Sequence, residues 1–137
     1  TIIFLVMIIF LIFIQSLSFF AIAWAIIFML LIAFGFYGLG IVLAHIFKRA
    51  KTYQMMSGVI IAIIVFLSGI FYPVKNLPFW LKIFTIINPL TYGVDGLRRA
   101  LTGYGEFNFM FNLLILILFA FIMVLLGVYS FKRSIEV

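Results

Sequence analysis

The apolar positions of this chain run on without alternation, and polar residues cluster where those runs stop. Apart from Thr1, residues 1–14 are apolar up to Gln15, Ser16 and Ser18, which mark a tight turn. A second run predicts a helix over 19–47, closed by the basic loop Lys48, Arg49, Lys51 and Thr52. A third predicts a helix over 53–72 that stops at Pro73, because proline cannot continue the hydrogen-bond ladder. A last run predicts a helix over 107–130, followed by Lys132 and Arg133. At about 1.5 Å per residue, residues 1–14 reach only about 21 Å, short of a ~30 Å hydrocarbon core. They read as the second half of a helix cut by the start of the chain, and the chain as a fragment.

Composition sharpens this picture. Only 9% of the residues are charged, against about 25% in a soluble domain. A domain of this size leaves too much surface exposed to hide such a sequence from water. With lipid as solvent, every backbone polar group needs an internal partner, which leaves helices or a closed barrel. Unbroken apolar runs select helices, so the fold class is all-α, a polytopic transmembrane bundle embedded in the lipid bilayer. The net charge of +6 does not indicate a nucleic-acid partner, because the basic residues are scattered at the ends of apolar runs. There is no cysteine, and residues 1–14 lack the charged flank of a signal peptide.

The loop at 48–52 and the tail at Lys132 and Arg133 are separated by two expected spans. They therefore share a side, and their dense positive charge makes it the cytoplasmic one. The region 73–106 then lies outside. Tyr72, Phe79, Trp80 and Tyr104 suit the outer aromatic belt, and Tyr53 and Tyr129 the inner. His45 is a lone histidine at an interface and no metal site. Asp95, Glu106 and Glu136 all lie outside the expected spans, which argues against a proton- or sodium-coupled carrier site in this piece. No catalytic constellation is present. Gly35, Gly38 and Gly40 read as packing positions.

The segment 73–106 is too polar for an ordinary span and too apolar for a solvated loop. It divides into two short helical pieces, 77–87 and 89–101. Pro78 suits the first helical position of one. Asn88 stops that piece and caps the next, with Pro89 at its first position. Leu90, Val94, Leu97 and Leu101 form a stripe at helical spacing. Asp95 precedes Arg98 and Arg99 by three and four residues, so an ion pair on one face is expected. Gly103 and Gly105 end the piece. Two such helices suit a re-entrant hairpin or a cover lying flat at the interface, and spacing alone leaves both open.

The ordered set Ser68, Gly69, Pro73, Leu77, Pro78, Asn88, Pro89, Tyr92, Asp95 and Arg98 resembles the C-terminal signature of ABC-2-type transporter permeases. The resemblance covers essentially the whole chain. It implies that 1–14 ends the third helix of a six-helix permease and that 73–106 is an extracellular re-entrant helical hairpin before the sixth. It implies the C-terminal portion of the permease of an ATP-driven exporter, in the plasma membrane. Partners would be an ABC ATPase subunit and a second permease copy, homo- or heterodimeric. No phosphate-binding glycine loop of the G-x-x-x-x-G-K-[ST] kind occurs here, so the chain is not itself an enzyme and ATP, the only cofactor implied, would bind the partner. The outer gate would involve Pro73, Pro78, Asn88, Pro89, Tyr92, Asp95, Arg98 and Arg99. The pathway wall would come from 53–72, with Ser57, Gly58, Ser68 and Gly69 serving packing or the pathway. The competing reading is a fragment of a secondary transporter or channel whose break at Asn88-Pro89 is a discontinuous-helix site.

Overall fold

A computed structural model describes residue 5 and residues 18–135 of the chain, so the expectations for 1–14 and the turn at Gln15 and Ser16 lie outside the described residues. Within them the fold is all-helical: α1 Phe19–Ile46, α2 Ala50–Phe66, α3 Phe79–Ile87, α4 Pro89–Thr102 and α5 Phe109–Ile135, with a 3-10 turn at Val74–Asn76. Two helices, α1 and α5, are long and apolar enough to cross a membrane. α1 begins at Ser18, whose hydroxyl accepts from the Ala21 N–H at 3.2 Å, as an N-cap serine should. Its 28 residues make it about 42 Å long.

Glycine brings α1 and α5 together. A Cβ on Gly35 would lie 2.5 Å from the Phe119 ring, and one on Gly38 would lie 2.5 Å from the Met123 carbonyl. Gly127 in turn faces Gly38 and Ile41. Contact positions rise together on both helices, so α1 and α5 run in the same direction. Close backbone approach through small residues is how helices associate where lipid offers no hydrophobic drive.

α4 is wedged against the N-terminal halves of this pair. A Cβ on Gly96 would collide with the Phe28 ring at 2.2 Å, and one on Gly93 with Ile32 at 2.7 Å, with Leu116 at 3.6 Å. Positions fall on α1 as they rise on α4, so the two are antiparallel. Phe28 and Leu116 are fully buried at this junction, and Phe109 closes it with edge-on contacts to Trp24 and Phe28 at 4.8 and 5.4 Å. The buried face of α4 is Thr91, Tyr92, Gly93, Asp95 and Gly96. The stripe of Leu90, Val94, Leu97 and Leu101 is only half-buried; small residues, not leucines, make the contact.

The helix expected over 53–72 ends earlier, at Phe66. Hydropathy continues through Tyr72, but Gly69 adopts φ +73, a left-handed conformation that glycine takes without penalty. Ser68 assists by donating its hydroxyl to the Val65 carbonyl at 2.6 Å. α2 touches α1, yet buries none of its own residues. α3 likewise presents a stripe of Phe79, Trp80, Ile83, Phe84 and Ile87 to the outside.

Candidate functional site

The break after α2 leaves four carbonyls without intrahelical partners. Each one is satisfied. The Ile63 carbonyl accepts from the Leu67 N–H at 2.9 Å and that of Val65 from Ser68. The Phe66 carbonyl accepts from the Tyr72 hydroxyl at 2.6 Å. The Ile64 carbonyl accepts from Asn88 Nδ2 at 2.6 Å, across 24 residues of sequence. One step further, Arg98 Nη2 donates to the Gly69 carbonyl at 3.1 Å. Side chains from α4 and its cap thus close the end of α2.

The end of α3 is closed by the same neighbourhood. The Thr91 hydroxyl donates to the Thr85 carbonyl and the Tyr92 hydroxyl to that of Ile86, both at 2.7 Å. The backbone N–H of Asn88 reaches the carbonyls of Phe84 and Thr85. Its Oδ1 meanwhile accepts from the Leu90 N–H at 3.0 Å and caps α4, where Pro89 needs no acceptor. Asn88 therefore serves three helices and is only 7% exposed. Pro78 stands one position before its expected place, as N-cap of α3, its carbonyl accepting from the Lys82 N–H at 2.9 Å. Pro73 likewise precedes the 3-10 turn.

The ion pair expected between Asp95 and Arg98 or Arg99 is replaced by something else. Asp95 Oδ1 accepts from the Glu106 N–H at 2.7 Å. Its Oδ2 accepts from the Phe107 N–H at 3.0 Å and from Asn112 Nδ2 at 2.8 Å. Arg99 Nη1 donates to the Phe107 carbonyl. Glu106 turns the other way and accepts the N–H groups of Val74 and Lys75 at 2.8 and 3.1 Å, holding the 3-10 turn. Two carboxylates and two guanidiniums balance in charge, but apart from the Asp95–Asn112 contact their hydrogen bonds go to backbone. Such charge-assisted bonds are worth roughly 1.5–3 kcal/mol each. Asn112 is fully buried and its Oδ1 has no partner, so this clasp retains one unsatisfied acceptor.

A cavity of about 10 Å³ lies among Ser68, Thr91, Asp95, Arg98 and Glu106, about one probe sphere. The cluster holds backbone in place. Of the residues singled out in sequence, Pro73, Asn88, Pro89, Tyr92, Asp95, Arg98 and Arg99 meet here with Ser68 and Gly69, and Pro78 begins α3 beside them. Ser57 and Gly58 do not join: the Ser57 hydroxyl donates to the Gln54 carbonyl at 3.3 Å, and a Cβ on Gly58 would meet nothing within 4 Å. Glu106, Asn112, Thr85, Thr91, Gly93 and Gly96 were missed. The lone polar residue inside an apolar run marked Asn112, and the three-residue glycine spacing marked Gly93 and Gly96.

The sequence profile described as ABC-2 type transporter matches residues 1–102. The chain belongs to the ABC-2 type transporter family. It is thus a membrane transport permease domain, a class that is not itself catalytic. No curated protein and no solved structure matches the chain. The profile stops at the end of α4, while every partner of the Asp95 carboxylate lies beyond it, at Glu106, Phe107 and Asn112.

Proposed function

We propose that this permease chain is the C-terminal portion of an ATP-driven exporter, with α1, α2 and α5 spanning the plasma membrane and α3–α4 forming a re-entrant hairpin at the extracellular side. The observation that carries the reading is depth. Gly93 of α4 packs on Ile32, thirteen residues past Phe19, about 20 Å along α1. A hairpin that reaches so far between two apolar helices enters the hydrocarbon layer. There its exposed face of Phe79, Trp80, Ile83, Phe84 and Ile87 meets lipid.

Irregular backbone at that depth needs protein partners, and the capping of α2 and α3 supplies them. The shared direction of α1 and α5 supports a common cytoplasmic end for Lys48, Arg49 and Lys51 and for Lys132 and Arg133. α2, with no buried residue, is open to a second permease copy and to the pathway along Ser57 and Gly58. An ABC ATPase subunit binds the ATP and drives alternating access by shifting helix packing between two states. The residues around Asn88, Asp95 and Arg98 form the outer gate, holding the hairpin to α2 on one side and α5 on the other.

The test uses the full-length permease in proteoliposomes. Transport is expected only with the ATPase partner and ATP, and turnover by permease alone overturns the reading. Because Asn88 is buried, the topology probe is Tyr104→Cys, a position 80% exposed. It should react with an impermeant thiol reagent from outside; labelling only from the cytoplasm refutes the orientation.

A further inference from the structure

Between the C-terminal halves of α1 and α5 lies an apolar trough of about 530 Å³, within the ~300–1,000 Å³ range of ligand pockets. Gly38 and Gly127 make its floor, where the backbones are already in contact. Tyr37, Val128 and Phe131 are walls, all of them well exposed, and Lys132 stands at one end. A smaller recess of about 150 Å³ adjoins it through Ile41 and Phe131 and carries His45 and Ser130. The trough is therefore greasy along its length and polar at its mouth. Val124 to Lys132 covers about 12 Å of helix, a length that suits part of an acyl chain.

Charge specifies the head. The same end of the bundle carries Lys48, Arg49, Lys51, Lys132 and Arg133. The described carboxylates, Asp95 and Glu106, are both bound at the opposite end, beside the start of α5. We infer that this trough is a binding site for one anionic phospholipid, an acyl chain lying on Gly38 and Gly127 and the phosphate facing Lys132. Basic pockets between transmembrane helices hold acidic head groups in this way. The site rests on the α1–α5 pair alone; only the leaflet that supplies the lipid follows from the topology proposed above.

Full-length protein carrying Phe131→Trp as a reporter, in detergent micelles, is titrated with brominated phosphatidylglycerol or brominated phosphatidylcholine. Fluorescence lost relative to protein without the reporter measures occupancy. Half-saturation is expected at about a fivefold lower mole fraction of phosphatidylglycerol, the size of one cation–lipid contact. Lys132→Gln should erase that preference, and Val128→Phe, which fills the trough, should remove the saturable quenching by both lipids. Equal quenching by the two lipids in the reporter protein overturns the site, as does indifference to Lys132→Gln. Absence of saturable quenching also overturns it. Micelles are blind to topology and transport, so this failure is distinguishable from failure of the exporter reading.

Discussion

Along the seam of α1 and α5, backbone meets backbone through Gly35, Gly38 and Gly127. Between Ile64 and Asn112, side chains meet backbone, and most of these hydrogen bonds cross from one element to another. The seam holds because nothing stands between the helices. The second region holds because Asn88, Thr91, Tyr92, Asp95, Arg98 and Glu106 each hydrogen-bond a peptide group of another element or of a helix end. The pair teaches that apolarity alone positions nothing in a membrane. Fit does so in one region and polar satisfaction in the other.

The largest effect expected is at the seam. Gly38→Val places carbon against the Met123 carbonyl, which cannot move aside, and should cost about 3 kcal/mol or more. Melting and monodispersity of the full-length protein in detergent would show it; a variant as stable as wild type would mean the helices do not meet there. Next comes the clasp. Asp95→Ala strips the acceptor from two N–H groups and from Asn112 and should cost about 3 kcal/mol. Asp95→Asn, which keeps one acceptor oxygen, should lose less. If instead the two variants melt together, the three-donor geometry is not what holds α4 to α5.

The smallest effect compares two glycines of the same stretch. Gly69→Ala forces a side chain into φ +73 and should cost about 1–2 kcal/mol. Gly58→Ala sits in an exposed helical turn and should be neutral or stabilising by up to ~1 kcal/mol. Equal losses at the two positions, read in the same melts, would erase the distinction between a glycine that its backbone conformation requires and one that it does not.

What the sequence made legible follows from how local each cause is. The cap at Asn88, the Pro89 start of α4 and the Gly103 end depend on neighbours within four residues, and pattern alone locates them; Ser18, read as part of a turn, proves to cap α1. The end of α2 did not yield to hydropathy. The apolar run continues to Tyr72, and only the backbone turn at Gly69 reveals the stop. Asp95 misled for the opposite reason. Its spacing to Arg98 and Arg99 satisfies a local rule, but Glu106, Phe107 and Asn112 offer donors from eleven to seventeen residues away. Hydrogen bonds to peptide groups leave no mark in the identity of the residue that donates them. Gly93 and Gly96 acquire meaning only once Phe28 and Ile32 are seen against them.

The capping of α2 has a consequence for how the protein is made. A ribosome adds about 5–20 residues per second, so Asn88 is synthesised about one to five seconds after Ile64, and Arg98 later still. Helices form in about a microsecond. α2 is therefore complete long before the last of the groups that close its end, Asn88 and Arg98, exist. During that interval the Ile64 carbonyl has only water or the insertion machinery to bond to, while those of Ile63, Val65 and Phe66 are closed by Leu67, Ser68 and Tyr72. Final seating of α2 waits for the hairpin to fold back, which makes the order of synthesis, N-terminal helix first and cap last, a built-in delay in membrane assembly.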